Sequence, residues 1–148
     1  GYGQYETSAY ARDNHRARHN LNYWTFGDFL GIGAGAHAKL SAPDGRIVRT
    51  WKTRLPKDYL DPAKAFQAGE RVLDAEELPF EFLMNVLRLT EGAPAALFEQ
   101  RTGLPLASLE QARREAEARQ LLQIDPQRLV ATREGQLFLN DLLQHFLP

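Results

Sequence analysis

The side chains best suited to chemistry in this chain lie in one short run, His19-Asn20-Leu21-Asn22-Tyr23-Trp24. An imidazole nitrogen is a good axial ligand for haem iron, and Tyr23 and Trp24 supply flat apolar surface with a polar edge that could pack against a porphyrin. The same pattern is also typical of a hydrogen-bonded structural histidine with Asn20 and Asn22 as turn formers. Spacing alone leaves both interpretations open.

A second candidate is the glycine-spaced run Gly31-Ile32-Gly33-Ala34-Gly35-Ala36-His37. It lacks the G-x-x-G continuation of a dinucleotide fingerprint, and no crossover helix pattern follows it. Small residues predict a close approach, either of a neighbouring barrel strand or of a ligand at the C-terminal end of a strand, with His37 at its margin. The residues favour the tight packing of a barrel strand.

Composition limits the available chemistry. The chain has 148 residues and no cysteine, which excludes disulfides, thiolate metal sites and iron–sulfur ligation by its own side chains. It is 43% hydrophobic and 25% charged, enough for one sizeable core or two small ones. No apolar run approaches the ~20 residues of a membrane span, and there is no signal-peptide pattern. We expect a cytoplasmic protein and, from the start at Gly1-Tyr2, a fragment.

Charge divides the chain into two parts. Residues 1–65 hold ten Lys and Arg against six Asp and Glu, whereas residues 66–148 hold eight against thirteen. We interpret the shift as a domain boundary, with the proline-containing residues 56–65 as a linker. The predicted domains are therefore residues 1–55 and residues 66–148.

The first predicted domain has the pattern of strands and turns. Residues 4–10 alternate loosely and predict one strand that ends in a polar stretch, and residues 29–36 predict a closely approached strand end. Pro43-Asp44-Gly45 is a strong turn signal between residues 38–40 and 46–51. A hairpin is predicted there.

The second predicted domain has helical periodicity. A helix is predicted from Pro79, with one buried face, and its apolar positions are Phe80, Leu83, Met84 and Leu87. A second helix is predicted from Pro94 to Arg101, stopped near Gly103. A third is predicted to begin at Leu106 or Ser108, with Ser108 as candidate N-cap, and to end at Arg119.

The end of the chain predicts a two-stranded wing and a closing helix. The strands are residues 121–124 and 128–131, and the helix from Gly135 is predicted to bury four apolar side chains, Phe138, Leu142, Leu143 and Phe146. This winged-helix-like order raises the possibility of DNA binding. The acidic balance of the domain opposes it, because phosphate binding needs a basic face.

Four runs together resemble a known family over essentially the whole chain. They are Y-E-T-S-A-Y-A at residues 5–11, H-N-L-N-Y-W at 19–24, G-D-F-L-G-I-G-A-G-A-H at 27–37 and P-F-E-F-L-M-N at 79–85. They are similar to the C-terminal part of HemW-type proteins, haem chaperones of the radical S-adenosylmethionine group that are coproporphyrinogen III oxidase-like. The H-N-x-x-Y-W run resembles the chaperone branch, since the true oxidases differ there.

The resemblance implies an α+β fold in which the terminal strands of a truncated radical-SAM (β/α) barrel precede a helical, winged-helix-like C-terminal domain. A full-length member is implied to hold a [4Fe-4S] cluster and S-adenosyl-L-methionine. The C-x-x-x-C-x-x-C cluster motif is absent from this chain. No catalytic residue and no turnover are therefore expected from it.

The resemblance also implies site residues. His19 is implied to bind haem and its iron, with Asn20, Tyr23 and Trp24 completing the haem-binding motif. Ala17 stands where some relatives have a cysteine, so a thiolate contribution is lost.

The glycine-spaced run resembles the place where the related oxidases close their S-adenosylmethionine pocket. This implies cofactor contacts for Gly33, Gly35, Ala36 and His37, although the oxidases have an apolar residue where His37 stands.

The expected partners are haem and haem-accepting proteins, with no nucleic acid and no transmembrane segment. A homodimer through exposed strand edges and a peripheral membrane association are left open. The alternatives are a fragment of an enzyme that oxidatively decarboxylates coproporphyrinogen III and a winged-helix nucleic-acid binder.

Overall fold

Short strands and helices alternate along residues 1–12 and 15–148, the part of the chain that the computed structural model describes. The strands are β1 (Gly3–Glu6), β2 (Ala9–Ala11), β3 (His37–Ser41), β4 (Ile47–Lys52), β5 (Gln67–Val72), β6 (Ala93–Pro94) and β7 (Arg128–Leu129). The helices are α1 (Arg18–Trp24), α2 (Pro56–Tyr59), α3 (Leu78–Val86), α4 (Ala96–Thr102), α5 (Glu110–Ala118), α6 (Arg133–Leu137) and α7 (Leu139–Gln144). Among the described residues, no helix is long and apolar enough to cross a membrane.

Contacts group these elements into two compact units. The first unit joins residues 1–26 to residues 75–148, and the second is residues 27–74. The charge shift near residue 65 coincides with neither limit, because β5 lies beyond it and pairs with β4 of the second unit. The predicted linker, residues 56–65, contains helix α2. Amino-acid composition carries no information about which strands pair. The predicted domain boundaries therefore differ from the limits of the observed units.

The N-terminal residues form two strands where the alternation predicted one. β1 and β2 pair antiparallel with an irregularity next to Glu6. The Glu6 carboxylate accepts hydrogen bonds from the Ser8 backbone N–H (3.1 Å) and hydroxyl (2.8 Å), which stabilises the intervening turn. The hairpin is joined to the C-terminal segment by backbone bonds from Thr7 to Arg88 and from Thr90 to Tyr5.

The predicted helix at Pro79 is confirmed as α3, but its buried face is rotated. The predicted burial of Leu83 and Leu87 is confirmed, but Phe80 and Met84 are only half-buried. Phe82 and Val86 are fully buried in their place. Phe82 lies at the centre of the first unit, with its ring 5.6 Å from that of Phe26 and 5.3 Å from that of Phe98. These three rings form the middle of the core. Their edge-to-face contacts add stability beyond that gained from burying apolar area.

The next two helices are confirmed, with different ends. α4 stops at Gly103, whose φ of 72° is the left-handed conformation that commonly terminates helices. A 3-10 turn at residues 106–109 precedes α5, so the helix begins after Ser108 and the predicted cap at Ser108 is wrong.

The predicted wing is reduced. Residues 121–124 and 128–131 meet at a single bridge between Leu122 and Ala131, and β7 pairs instead with β6. The closing helix breaks at Phe138, which separates α6 from α7 and is 53% exposed, so its predicted burial is wrong. The predicted burial of Leu142, Leu143 and Phe146 is confirmed.

Thr132 caps α6, and this gives a testable prediction. Its Oγ1 accepts from the Gly135 N–H (3.0 Å) and donates to the Gln120 carbonyl (2.6 Å). Thr132→Ala is expected to destabilise the first unit by about 1–2 kcal/mol, because both bonds are lost. Urea unfolding measured by Trp24 fluorescence in a Trp51→Phe background checks this. Thr132→Ser, which keeps the hydroxyl, should stay near wild type, and an equal loss in both variants would contradict the cap.

The second unit is a three-stranded antiparallel sheet of order β3-β4-β5. The predicted hairpin is confirmed, with β3 and β4 in register from His37 opposite Trp51 to Ser41 opposite Ile47.

Residues 30–36 form no strand, so the barrel-strand interpretation of the glycine run is wrong. Gly33 and Gly35 lie in a turn at positive φ. The predicted close approach is confirmed at Gly31, because a Cβ there would collide with the His37 carbonyl. The described strands form no closed barrel.

Candidate functional site

The run from His19 to Trp24 is helical, and its helix α1 has two distinct faces. Residues four apart lie one above the other on a helix, so the run consists of two stacked pairs, His19 with Tyr23 and Asn20 with Trp24. His19 is exposed, whereas Asn20 and Trp24 are half-buried. The asparagines therefore belong to a helix, and the turn proposed for them is wrong.

The Asn20–Trp24 pair attaches α1 to the rest of the first unit. The Asn20 side-chain amide donates to the hydroxyl of Tyr5, which is buried on β1, at 3.1 Å. The Arg88 guanidinium lies 4.5 Å from the centroid of the Trp24 ring. Such a cation–π contact is stronger when it is shielded from water. Both contacts hold the helix so that its other face, with His19, points away from these partners.

A buried polar cluster lies behind Trp24. The Glu6 side chain is only 2% exposed, and its Oε2 lies 3.7 Å from Arg88 Nη2. Among the described residues, Glu6 Oε2, Arg88 Nε and Trp24 Nε1 have no hydrogen-bond partner. A buried polar atom without a hydrogen bond lowers the stability of the fold, and a buried charge does so unless an opposite charge lies nearby. Glu6 therefore supplies a carboxylate to Arg88, the residue whose guanidinium contacts Trp24.

A cavity of about 640 Å³ adjoins α1 on the side of Arg18 and Leu21. The described residues that line it are Gly3, Gln4, Tyr5, Ala11, Arg12, Arg16, Arg18 and Leu21. Arg16 forms two hydrogen bonds with Glu91, at 2.9 and 2.6 Å, and these bonds lower the pKa of the Glu91 carboxyl. The cavity thus combines apolar surface with guanidinium groups.

The second candidate site lies in the second unit. A cavity of about 520 Å³ is lined there by Ala34, Gly35, His37, Trp51, Lys52 and Arg54. Of the four residues implied for S-adenosylmethionine, Gly35 and His37 line it, while the Gly33 N–H donates to the Tyr59 hydroxyl at 3.2 Å. The basic lining fits a carboxylate and opposes a sulfonium cation, so it matches only one end of that cofactor.

No sequence pattern assigned a role to Glu6 or Arg88, although Glu6 lies within the run at residues 5–11 that carries the resemblance. Glu6 has the appearance of an exposed residue in a polar strand, and Arg88 follows an apolar helix face. Their juxtaposition with Trp24 arises from pairing between residues about 80 positions apart, as in the Thr7–Arg88 bond with its separation of 81. Among the described residues there is also no group of three or more His, Asp or Glu that could hold a metal ion.

Comparison with known proteins matches the whole chain. The family profile "HemN C-terminal domain" matches residues 73–138. Over 147 residues the chain is 46% identical to "Heme chaperone HemW" of Escherichia coli (strain K12) and 44% identical to the protein of that name from Haemophilus influenzae. It is 33% identical to the mouse protein "Radical S-adenosyl methionine domain-containing protein 1, mitochondrial". These matches cover 99–100% of the chain but only 36–38% of the relatives, so the chain spans well under half of their length.

One solved structure shows the same fold at low sequence identity. It is described as "Coproporphyrinogen III oxidase (HemN) from Escherichia coli is a Radical SAM enzyme" and aligns with a TM-score of 0.63 and 14% identity. The alignment covers 99% of this chain and 37% of that one. This match confirms the expected combination of helices and strands in one fold.

Proposed function

This chain is similar throughout to the C-terminal part of HemW-type proteins, and we propose that it supplies the haem-binding segment of a haem chaperone. The observation that carries the proposal is the two-faced helix α1. Its Asn20–Trp24 face is attached to the fold, whereas His19 is exposed. Relatives matched over the whole chain are named as haem chaperones.

In this proposal His19 is the axial ligand of haem iron, and Tyr23, one turn further along α1, offers its ring to the porphyrin face. Asn20 and Trp24 complete the haem-binding motif by holding α1 in place. An exposed ligand suits a carrier, because an incoming haem protein can approach the iron without the carrier having to unfold. Haem is here the cargo, and haem-accepting proteins are the partners.

A hemin titration tests the proposal. The chain and a full-length relative should each develop a Soret band on addition of hemin, and each should lose it when an apo-haem protein such as apomyoglobin is added. Absence of a Soret change in both proteins would refute haem binding. Retention of the haem in the presence of excess acceptor would refute delivery.

The [4Fe-4S] cluster does not fit the residues of this chain, because the sequence contains no cysteine to bind it. We therefore assign the cluster, and most contacts to S-adenosylmethionine, to the parts of the relatives that lie outside the matched segment. Gly33, Gly35, Ala36 and His37 stay proposed contacts at the margin of that pocket. A cytoplasmic location, a homodimer and an origin as terminal strands of a radical-SAM barrel also stay predictions.

We further propose that the profile-matched residues 73–138 form a winged-helix-like domain that packs or docks and does not read DNA. The short β6–β7 pair, whose second strand follows α5 in the chain, supports the comparison. The arginines of α5 are already engaged, since Arg113 donates to the Asp125 carbonyl at 2.9 Å and Arg114 pairs with Glu110 at 2.8 Å. Salt-dependent binding to duplex DNA would contradict this proposal.

The attachment of α1 gives a prediction for haem affinity. Tyr5→Phe removes the hydroxyl that accepts from Asn20, and we expect about fivefold weaker hemin binding, equivalent to the ~1 kcal/mol of one hydrogen bond. Hemin titration measures the effect. Tyr10→Phe on the same hairpin is the matched control, since the Tyr10 side chain is 62% exposed. If both variants bind like wild type, the Asn20–Tyr5 bond does not position the site.

A further inference from the structure

The cavity beside α1 has a distinctive charge pattern. Three guanidinium side chains line it, those of Arg12, Arg16 and Arg18, and no acidic side chain is among the described residues of its lining. Arg16 is committed to Glu91 through the two hydrogen bonds given above. Arg12 and Arg18 make no ion pair with the described residues, and Arg12 instead lies 5.3 Å from the centroid of the Tyr2 ring. Within the described residues, the cavity therefore presents two guanidinium groups that have no acidic partner and could face an anionic ligand.

The placement of these two arginines relates them to the proposed haem ligand. Arg18 begins α1 and directly precedes His19, Arg12 directly follows β2, and both residues line the cavity. The lining also includes Tyr5 and Leu21, which supply apolar surface. The site thus joins apolar surface to two cationic groups, one of which, Arg18, is next to His19 in the sequence.

This combination matches the chemistry of haem beyond its iron. Haem is a flat apolar ring that carries two propionate carboxylates on one edge. A guanidinium is planar and binds carboxylates through two parallel N–H donors, which makes arginine better suited to this role than lysine. An exposed imidazole alone would hold the iron but would not orient the ring.

We propose that Arg12 and Arg18 bind the propionate carboxylates of haem, so that the cavity beside α1 recognises the charged edge of the cargo. The proposal rests on the proposed function, because it places the cargo next to α1. It goes further in assigning a ligand class, carboxylate-bearing tetrapyrroles, and two residues that discriminate among them. Haem whose propionates are esterified is then a poor ligand.

The test compares hemin with hemin dimethyl ester on the intact chain. Wild type should prefer hemin, and the double variant Arg12→Gln/Arg18→Gln should bind hemin about tenfold more weakly while its affinity for the ester stays unchanged. Arg119→Gln, at an exposed arginine of the same unit, is the matched control and should bind both ligands like wild type. Circular dichroism confirms that each variant is folded.

The outcomes separate this inference from the proposed function. Unchanged hemin affinity in the double variant, or an equal loss for hemin and for its ester, would overturn the assignment of Arg12 and Arg18. A preference for hemin that disappears in the double variant supports the assignment. His19→Ala reports independently on the iron ligand, since its loss should affect hemin and the ester alike.

Discussion

Replacing His19 with alanine is expected to weaken hemin binding on the order of a hundredfold and to abolish the Soret band of the bound form. Loss of a residue that only supports a metal ligand already costs about 10–100-fold in metal affinity, so loss of the ligand itself belongs at or above the top of that range. Because His19 is exposed, the variant should fold normally. Absorption titration with hemin measures the affinity, and thermal unfolding confirms the fold.

Two controls make this experiment specific. His15→Gln removes another exposed histidine four positions earlier and should bind hemin within about twofold of wild type, the range expected of a surface substitution. Added imidazole should partly restore the Soret band of His19→Ala, since it can occupy the vacated coordination position. If His19→Ala binds hemin as tightly as wild type, His19 is not the ligand.

Asp28→Asn is expected to destabilise the second unit by about 1–2 kcal/mol, since it removes the carboxylate that faces the buried Lys39 ammonium, while water at the Asp28 side chain, which is 42% exposed, offsets part of the loss. The Lys39 side chain is 1% exposed, and its ammonium donates to Asp28 Oδ1 at 2.8 Å. Asp28 also accepts from the backbone N–H and the hydroxyl of Ser41. Urea unfolding followed by Trp51 fluorescence in a Trp24→Phe background isolates this unit, because Trp24 and Trp51 are the two tryptophans and lie one in each unit.

Asp44→Asn is the matched control. Asp44 pairs with Arg46 at 2.7 Å, but both side chains are more than half exposed, so its loss should cost less than ~1 kcal/mol. A second comparison is Asp28→Leu with Lys39→Met, which removes both charges and should recover much of the lost stability. If Asp28→Asn lowers the free energy of unfolding as little as Asp44→Asn does, Asp28 does not stabilise the buried Lys39 ammonium.

The same pair predicts a pH dependence with a definite sign. Burial alone would raise the pKa of Asp28, but the hydrogen bonds from Lys39 and Ser41 outweigh it and hold the pKa below the ordinary value of 3.8. A carboxyl with a lowered pKa in the folded state contributes stability above the unfolded pKa and loses it as the pH falls through the folded pKa. The second unit should therefore lose stability below about pH 4, and Asp28→Asn should flatten that loss.

Local signals in the sequence predicted the elements that depend on local chemistry. Pro43-Asp44-Gly45 specified the β3–β4 turn, Pro79 the start of α3 and Gly103 the end of α4, because each acts through its own backbone conformation. The site motif was found through its residue types and the family resemblance. Its helical conformation was missed, because asparagines favour turns and Ala17 provides no side-chain cap for α1.

Contacts between distant residues could not be predicted from the same patterns. The pairing of β6 with β7, the hydrogen bond from Asn20 to Tyr5 and the stacking of Arg88 on Trp24 are fixed by tertiary packing and leave no periodic signal. For this reason the sequence and the resemblance assigned Asn20 and Trp24 to the haem-binding motif without indicating which residues they contact. Their contacts in the folded chain support a role in positioning the helix.

The first unit is formed by two segments that are distant in sequence, residues 1–26 and residues 75–148. This separation determines when during synthesis its contacts can form. Its N-terminal hairpin and Arg16 bond to residues 88–91, so residues 1–26 are made early but find their partners only after residues 27–74 have been translated. Contacts of such long sequence separation form slowly, because a long loop must close first. On a ribosome, α1 would stay unanchored until the C-terminal segment emerges. A chain without residues 75–148 would then lack the partners that anchor α1, and under the proposed function it should bind hemin more weakly.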